Sequence, residues 1–223
     1  MSKSCPVTGL FGGTFDPVHF GHLRPALEVC QDLDLHEVRW IPGGQPPHRE
    51  TPLAETVHRL NMLRLAVQDI DRFTVDIRET ERAGPSYTVD TLISLRKEMP
   101  GSSLALILGQ DAFNGLPGWH RWQEILELAH VIVCARPGSI LPQTGELAGR
   151  QTDDFTGLEE QTHGLVYTHP VTQLSISATA IRALIMQGKT PRYLLPAPVC
   201  DYIDKNGLYR PDHPGSTDSQ GKT

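Results

Sequence analysis

The sequence predicts an α/β protein: a doubly wound, Rossmann-like parallel sheet with helices on both faces, in a single domain. Three observations carry this expectation. Short apolar runs alternate with segments of helical period along most of the chain. Two of those runs, Leu104-Ala105-Leu106-Ile107-Leu108 and Val131-Ile132-Val133-Cys134, hold no charged or amide residue, as strands covered on both faces require. At 223 residues, with 39% hydrophobic and 21% charged, the chain is long enough to bury a full core.

Element by element, Val7 to Phe11 forms the first strand, followed by a turn at Gly12-Gly13. Leu23, Ala26, Leu27 and Cys30 then recur at helical spacing. Val38-Arg39-Trp40-Ile41 makes a second strand, ended by Pro42-Gly43-Gly44. A helix follows around Val57, Leu60, Leu63 and Val67, then a strand near Phe73 to Ile77. Thr88 to Met99 reads as a helix stopped by Pro100-Gly101, and the two apolar runs come after it. Between Pro137 and Gly164 the chain is polar without a clear period, an excursion with room for a short helix. Val166-Tyr167 is a weak strand, Ala180 to Met186 a short helix ending at Gly188, and Val199 to Asn206 a last helix with Gly207 at its C-cap. The folded domain is expected to span residues 1–211. Residues 212–223 carry no Val, Leu, Ile, Met, Phe, Tyr or Trp and are expected to be disordered.

Composition narrows the functional classes. With 20 Lys+Arg against 26 Asp+Glu the net charge is −6, which argues against a general nucleic-acid binder. It still permits a local positive pocket for a small anion. No run reaches the ~18 apolar residues of a membrane span, and the N-terminus lacks the apolar core of a secretory signal. Neither a membrane protein nor an exported one is expected. Cys5, Cys30, Cys134 and Cys200 lie far apart with no CxxC pair, so neither a disulfide framework nor a zinc site is expected. The expected compartment is the reducing cytoplasm. Self-association is left open.

The most informative stretch is Gly12-Gly13-Thr14-Phe15-Asp16-Pro17-Val18-His19-Phe20-Gly21-His22, where a buried strand gives way to an amphipathic helix. In parallel sheets ligands bind at that edge. Glycines let the backbone approach an anion, and the first turn of a helix offers unpaired N–H groups and a positive dipole end. His19 and His22 are three apart and share a face once the helix has begun. Two imidazoles beside a phosphate can donate hydrogen bonds as charge gathers in a transition state. A Gly-Gly turn or a histidine pair alone is more often structural; the whole eleven-residue string reverses that weighting. The pattern is neither the dinucleotide GxGxxG nor the Walker GxxxxGK[ST].

A second phosphate element stands at Ile176-Ser177-Ala178-Thr179-Ala180-Ile181-Arg182. Ser177 is a helix N-cap by type, which puts Thr179 in the first turn and Arg182 about one turn on. A hydroxyl, backbone N–H groups and a guanidinium would then converge on one anion-sized spot.

The first string resembles the HxGH signature of the nucleotidyltransferase superfamily, which also carries the form GGTFDPxHxGH. The second resembles the ISSTxIR motif of the same superfamily, with Ala178 in place of the second serine. The resemblance implies that His19 and His22 stabilise the reacting phosphate of ATP, that Gly12, Gly13, Thr14 and Phe15 line the nucleotide loop, and that Ser177, Thr179 and Arg182 hold the outer phosphates. It extends to Pro46-Pro47-His48-Arg49, Pro85-Ser86-Tyr87-Thr88, Gly109-Gln110-Asp111, Trp119 and Arg136-Pro137-Gly138. Together these look like the bacterial nicotinate-nucleotide adenylyltransferases, which join nicotinate mononucleotide to ATP to make deamido-NAD.

The chemistry of that substrate suits the residues. A pyridine ring needs a flat partner, and Trp119 offers the largest face. Its carboxylate needs donors, which Thr88 and backbone N–H groups at a helix start supply. His48 and Arg136 are candidates for the mononucleotide phosphate, and Asp111 for ribose hydroxyls. His120 stands where this family often has an aromatic residue. The expected reaction is a direct in-line transfer without a covalent enzyme intermediate, with Mg²⁺ entering on ATP and no dedicated protein ligands. Alternatives are an adenylyltransferase for nicotinamide mononucleotide or pantetheine phosphate, or a nucleotide-binding sensor without chemistry.

Overall fold

Strand β1 (Val7–Gly13) opens the chain and leads into α1 (Phe20–Asp32), β2 (Glu37–Pro42), α2 (Thr56–Val67), β3 (Phe73–Val75) and α3 (Arg78–Glu81). Next come α4 (Thr88–Glu98), β4 (Ser103–Gly109), α5 (Gln110–Asn114), α6 (Trp122–Leu128) and β5 (His130–Ala135). The chain continues with α7 (Glu146–Gly149), β6 (Gln151–Thr152), α8 (Thr156–Glu160), β7 (Val166–Pro170), α9 (Ala178–Met186) and α10 (Ala197–Lys205). The computed structural model describes residues 5–44, 52–135 and 144–211. The tail expected to be disordered, 212–223, lies outside them, as do His48 and Arg136.

All seven strands pair in parallel in the order β3-β2-β1-β4-β5-β7-β6. From β1 the chain winds outward to β2 and β3, then crosses back and winds the other way from β4. The reversal leaves a crevice at the carboxyl ends of β1 and β4, the topological switch point where such sheets bind ligands. Alternation along β4 shows why both faces are covered. Leu104, Leu106 and Leu108 pack with Val89, Leu92 and Leu95 of α4 and Ile125 of α6. Ala105 and Ile107 join the opposite core with Val29 of α1, Met62 and Leu63 of α2, Ile181 of α9 and Val199 of α10. No described helix is long and apolar enough to cross a membrane.

Several boundaries differ from the sequence reading. Gly12 and Gly13 belong to β1 rather than to a turn. Their extended backbone pairs with Ile41 and Pro42, and Gly43 N–H donates to the Gly13 carbonyl at 2.8 Å. β3 stops at Val75 because the Asp76 carboxylate accepts the Arg78 amide at 3.1 Å and turns the chain into α3. Helices α3, α5 and α6 have four, five and seven residues, too few to show a period. The polar excursion holds α7 and α8 with β6 between them, and β6 adds an edge strand beside β7. Gly207 lies one residue beyond the α10 C-cap, Asn206, at φ +62°.

Candidate active site

The loop after β1 is shaped by one aromatic ring. Phe15 sits at φ +50°, in the left-handed region, with its side chain buried. Its ring lies so close to the backbone of Gly13 that a Cβ there would meet Phe15 Cε1 and Cζ at 2.8 Å. Glycine at 13 is therefore a packing requirement. Arg59, 1% exposed on α2, reaches under the loop, and its Nη1 donates to the carbonyls of Thr14 (2.8 Å) and Gly43 (2.9 Å).

The two histidines meet. α1 begins at Phe20, so His19 is the N-cap residue and His22 lies in the first turn. Their rings stack with centroids 3.8 Å apart at 26°. The Phe15 ring stands edge-on to His22 at 5.3 Å. His19 is 4% exposed, and burial lowers its pKa to about 4. At neutral pH its imidazole is thus uncharged and carries one N–H. The glycine between the histidines has a steric role as well. A Cβ at Gly21 would lie 2.9 Å from His19 Nδ1 and 3.1 Å from the Ile176 carbonyl.

That last contact brings in the second element. Ser177 is the N-cap of α9, its hydroxyl accepting the Ala180 amide at 3.2 Å. Thr179 and Arg182 follow on the same helix. Arg182 Nη1 donates to the Asp16 carbonyl at 2.7 Å, 166 residues away in sequence, and Nη2 lies 3.4 Å from the Thr179 hydroxyl. The N-termini of α1 and α9 are therefore neighbours. Phe20 N–H donates to the Leu194 carbonyl at 3.0 Å, so the segment after α9 also closes on the start of α1.

Beside this junction, at the switch point of the sheet, lies a cavity of about 210 Å³. Apolar cavities of roughly 150 Å³ already admit benzene. One wall is Gly12, Gly13 and Thr14; another is the start of α4 with Thr88; Trp119 and His120 line it too. His120 leans on the Tyr87 ring, centroids 4.3 Å apart. Nucleotide-loop residues and ring-pocket residues thus share one space. Asp111 does not join them. It lies exposed in the first turn of α5, which starts directly after β4, and is not among the residues lining this cavity.

The structure adds groups that the sequence reading missed. Glu79 of α3 lines the cavity with a largely buried carboxyl, accepts the Thr91 hydroxyl at 2.7 Å, and has its pKa raised by burial. Its signal, the run Arg78-Glu79-Thr80-Glu81-Arg82, looks like a solvated surface segment. Asp16, 5% exposed, accepts the amides of Leu53 (2.8 Å) and Ala54 (3.2 Å) and the hydroxyl of Tyr209 (2.7 Å). Among the described residues no three His, Cys, Asp or Glu side chains gather where a metal ion could sit.

A parallel sheet with an HxGH loop and an arginine helix facing each other across its switch point defines a class, the nucleotidyltransferases. The chain belongs to the cytidylyltransferase-like family, whose model matches residues 10–184. Among its relatives, the protein of Methylococcus capsulatus named "Probable nicotinate-nucleotide adenylyltransferase" is 48% identical over 206 residues, 90% of this chain and 98% of that protein. A protein of the same name from Dechloromonas aromatica is 51% identical over 210 residues, 91% of this chain and 97% of that one. In fold, the chain is similar to the solved nicotinic acid mononucleotide adenylyltransferase of Plasmodium falciparum complexed with NaAD. There the TM-score is 0.68 at 17% identity, covering 92% of this chain and 97% of the other.

Proposed function

We propose that the chain is a nicotinate-nucleotide adenylyltransferase, transferring the adenylyl group of ATP to nicotinate mononucleotide with release of pyrophosphate. One observation carries this reading: Arg182 of α9 hydrogen-bonds the very loop that presents His19 and His22, next to a ring-sized cavity. A phosphate oxygen of the mononucleotide attacks the α-phosphorus of ATP. The new O–P bond forms as the bond to the β-phosphate oxygen breaks, and pyrophosphate leaves with that electron pair. Such a transfer asks the protein for alignment and charge stabilisation rather than for a covalent nucleophile. The histidine pair serves the reacting phosphate; Ser177, Thr179 and Arg182 serve the outer ones. A bound triphosphate favours the protonated imidazole and so opposes the burial that keeps His19 neutral before binding. Mg²⁺ is taken to arrive as the counter-ion of ATP, part of the substrate. We place the reaction in the reducing cytoplasm, in keeping with the unpaired thiols of Cys30, Cys134 and Cys200.

The mononucleotide ring is assigned to the cavity, stacked on Trp119, with its carboxylate toward Thr88 and the start of α4. Trp119→Ala is expected to raise the KM for the mononucleotide about tenfold, the scale of losing one aromatic face, and to leave the KM for ATP near its original value. Steady-state kinetics with each substrate varied in turn checks this. Gly12 gives a complementary test, because among the described residues a Cβ there would meet nothing within 4 Å beyond its chain neighbours. Gly12→Ala should therefore melt like the parent while its KM for ATP rises about tenfold, the cost of crowding a fitted ligand.

The reading is tested by mixing the purified protein with ATP, Mg²⁺ and nicotinate mononucleotide and following deamido-NAD and pyrophosphate. Both products should appear together. Faster turnover of the amide mononucleotide would move the assignment to the neighbouring substrate. Nucleotide binding without pyrophosphate release would end it.

A further inference from the structure

Arg182 has two competing partners at one residue. Its Nη1 donates to the backbone carbonyl of Asp16 at 2.7 Å, while the Asp16 carboxylate oxygen Oδ2 stands 3.9 Å from the same nitrogen, at the outer edge of an ion pair. A carboxylate and a guanidinium that close, in a site where both side chains are largely buried, attract strongly. The pair is nevertheless held open. Oδ2 accepts the Leu53 amide at 2.8 Å, and Oδ1 accepts both the Ala54 amide at 3.2 Å and the Tyr209 hydroxyl at 2.7 Å. The backbone bonds come from a neighbouring segment. The short bond comes from a side chain 193 residues away, just after α10.

Tyr209 is 5% exposed and is fixed in place by the turn that ends α10, where Leu208 N–H donates to the Ile203 carbonyl at 3.1 Å. Burial and the neighbouring Asp16 keep its hydroxyl protonated far above neutral pH, so it is a permanent donor. Among the described residues the other cation near Asp16 is Arg59, whose Nη1 is committed to the Thr14 and Gly43 carbonyls and whose Nη2 donates to the Thr56 hydroxyl at 3.1 Å.

We propose that Tyr209 is a positioning residue for Arg182: by holding the Asp16 carboxylate aside, its hydroxyl leaves the guanidinium on the Asp16 carbonyl and directed to the nucleotide phosphates. Without that hydroxyl, Oδ1 keeps a single longer bond, and the carboxylate closes on Arg182 and neutralises the cation that ATP needs. The proposal rests on the adenylyltransferase reading for the role of Arg182, but its deciding readout, ATP affinity by calorimetry, does not depend on turnover.

The test is Tyr209→Phe, which keeps the ring and removes one oxygen, measured alone and together with Arg182→Ala. In the full-length protein, the Kd for Mg²⁺·ATP by calorimetry and the kcat and KM for both substrates are determined alongside Tm. Tyr209→Phe should weaken ATP binding and raise its KM about tenfold, the scale of one hydrogen bond to a charged group. The KM for the mononucleotide should hold and Tm should fall by only a few degrees. In the Arg182→Ala background the same change should have little further effect on ATP, because the residue it acts through is gone. Parental ATP affinity in Tyr209→Phe overturns the proposal. So do equal, additive losses with and without Arg182, or a failure on both substrates that tracks a collapse in Tm. If the parent protein binds ATP but makes no dinucleotide, the functional reading falls while the calorimetric cycle still decides the role of Tyr209.

Discussion

Replacing His19 or His22 by alanine should lower kcat about 100-fold or more while leaving the fold intact. That is the range for removing one preorganised donor from a site where transition-state charge accumulates. The two rings stack 3.8 Å apart and flank one spot at the start of α1, so neither replaces the other. His22 is wedged against Phe15, and its loss should be the less tolerated of the two in stability. The double variant is expected to be little worse than the weaker single one, since residues that act as a unit lose their effect together. Single-turnover measurement at saturating ATP separates this from weakened binding. Parental single-turnover rates in either variant would remove the histidines from the reaction.

Acid should destabilise the protein through histidines that are buried neutral. His130 on β5 is fully buried; its Nδ1 accepts the Leu165 amide at 3.1 Å and its Nε2 donates to the Gln161 carbonyl at 3.2 Å. Burial lowers its pKa from the ordinary 6.5 to about 4. Above pH 6.5 neither the folded nor the unfolded chain holds the extra proton, and the stability is complete. As pH falls from 6.5 toward 4 the unfolded chain takes up a proton that the folded chain refuses, so stability drops. Below 4 both are protonated and the loss levels off at about 3 kcal/mol, from 1.36 kcal/mol per pKa unit. His19, lowered to about 4 for the same reason, adds to this slope. Urea melts at pH 7, 5.5 and 4.5 measure it. His130→Asn, which can keep an acceptor and a donor but does not titrate, should flatten the profile in that window. An unchanged slope in this variant would assign acid sensitivity to other groups.

Much of the site is legible from local signals. Ser177 as a helix cap, glycines at the strand end, and the His19–His22 spacing are properties of a few consecutive residues, and all stand close to where they are expected. Thr88, Trp119 and His120 come together on one cavity because the ends of β1 and β4 converge there. What stays hidden is non-local or short. Asp16 and Tyr209 are 193 residues apart, and nothing in either neighbourhood announces the other. Glu79 lies on a four-residue helix whose charged sequence reads as surface, although the fold turns that carboxyl inward against Thr91. Asp111 is a different case: it stands exposed in the first turn of α5, directly after β4, outside the residues that line the cavity. The nature of the residue is in the sequence, whereas its direction depends on what packs over it.

The pairing of Asp16 with Arg182 and Tyr209 has a consequence for biosynthesis. Synthesis delivers the histidine loop first and its guanidinium and phenol partners near the end, so the contacts of Asp16 with Arg182 and Tyr209 form only after β1 to β7 have been made. On the roles proposed for Arg182 and Tyr209, the triphosphate site is complete only once α9 and the segment after α10 are in place. A chain stopped upstream of α9 would carry the histidine loop without Arg182 and Tyr209, and so lack the part of the site proposed for the outer phosphates.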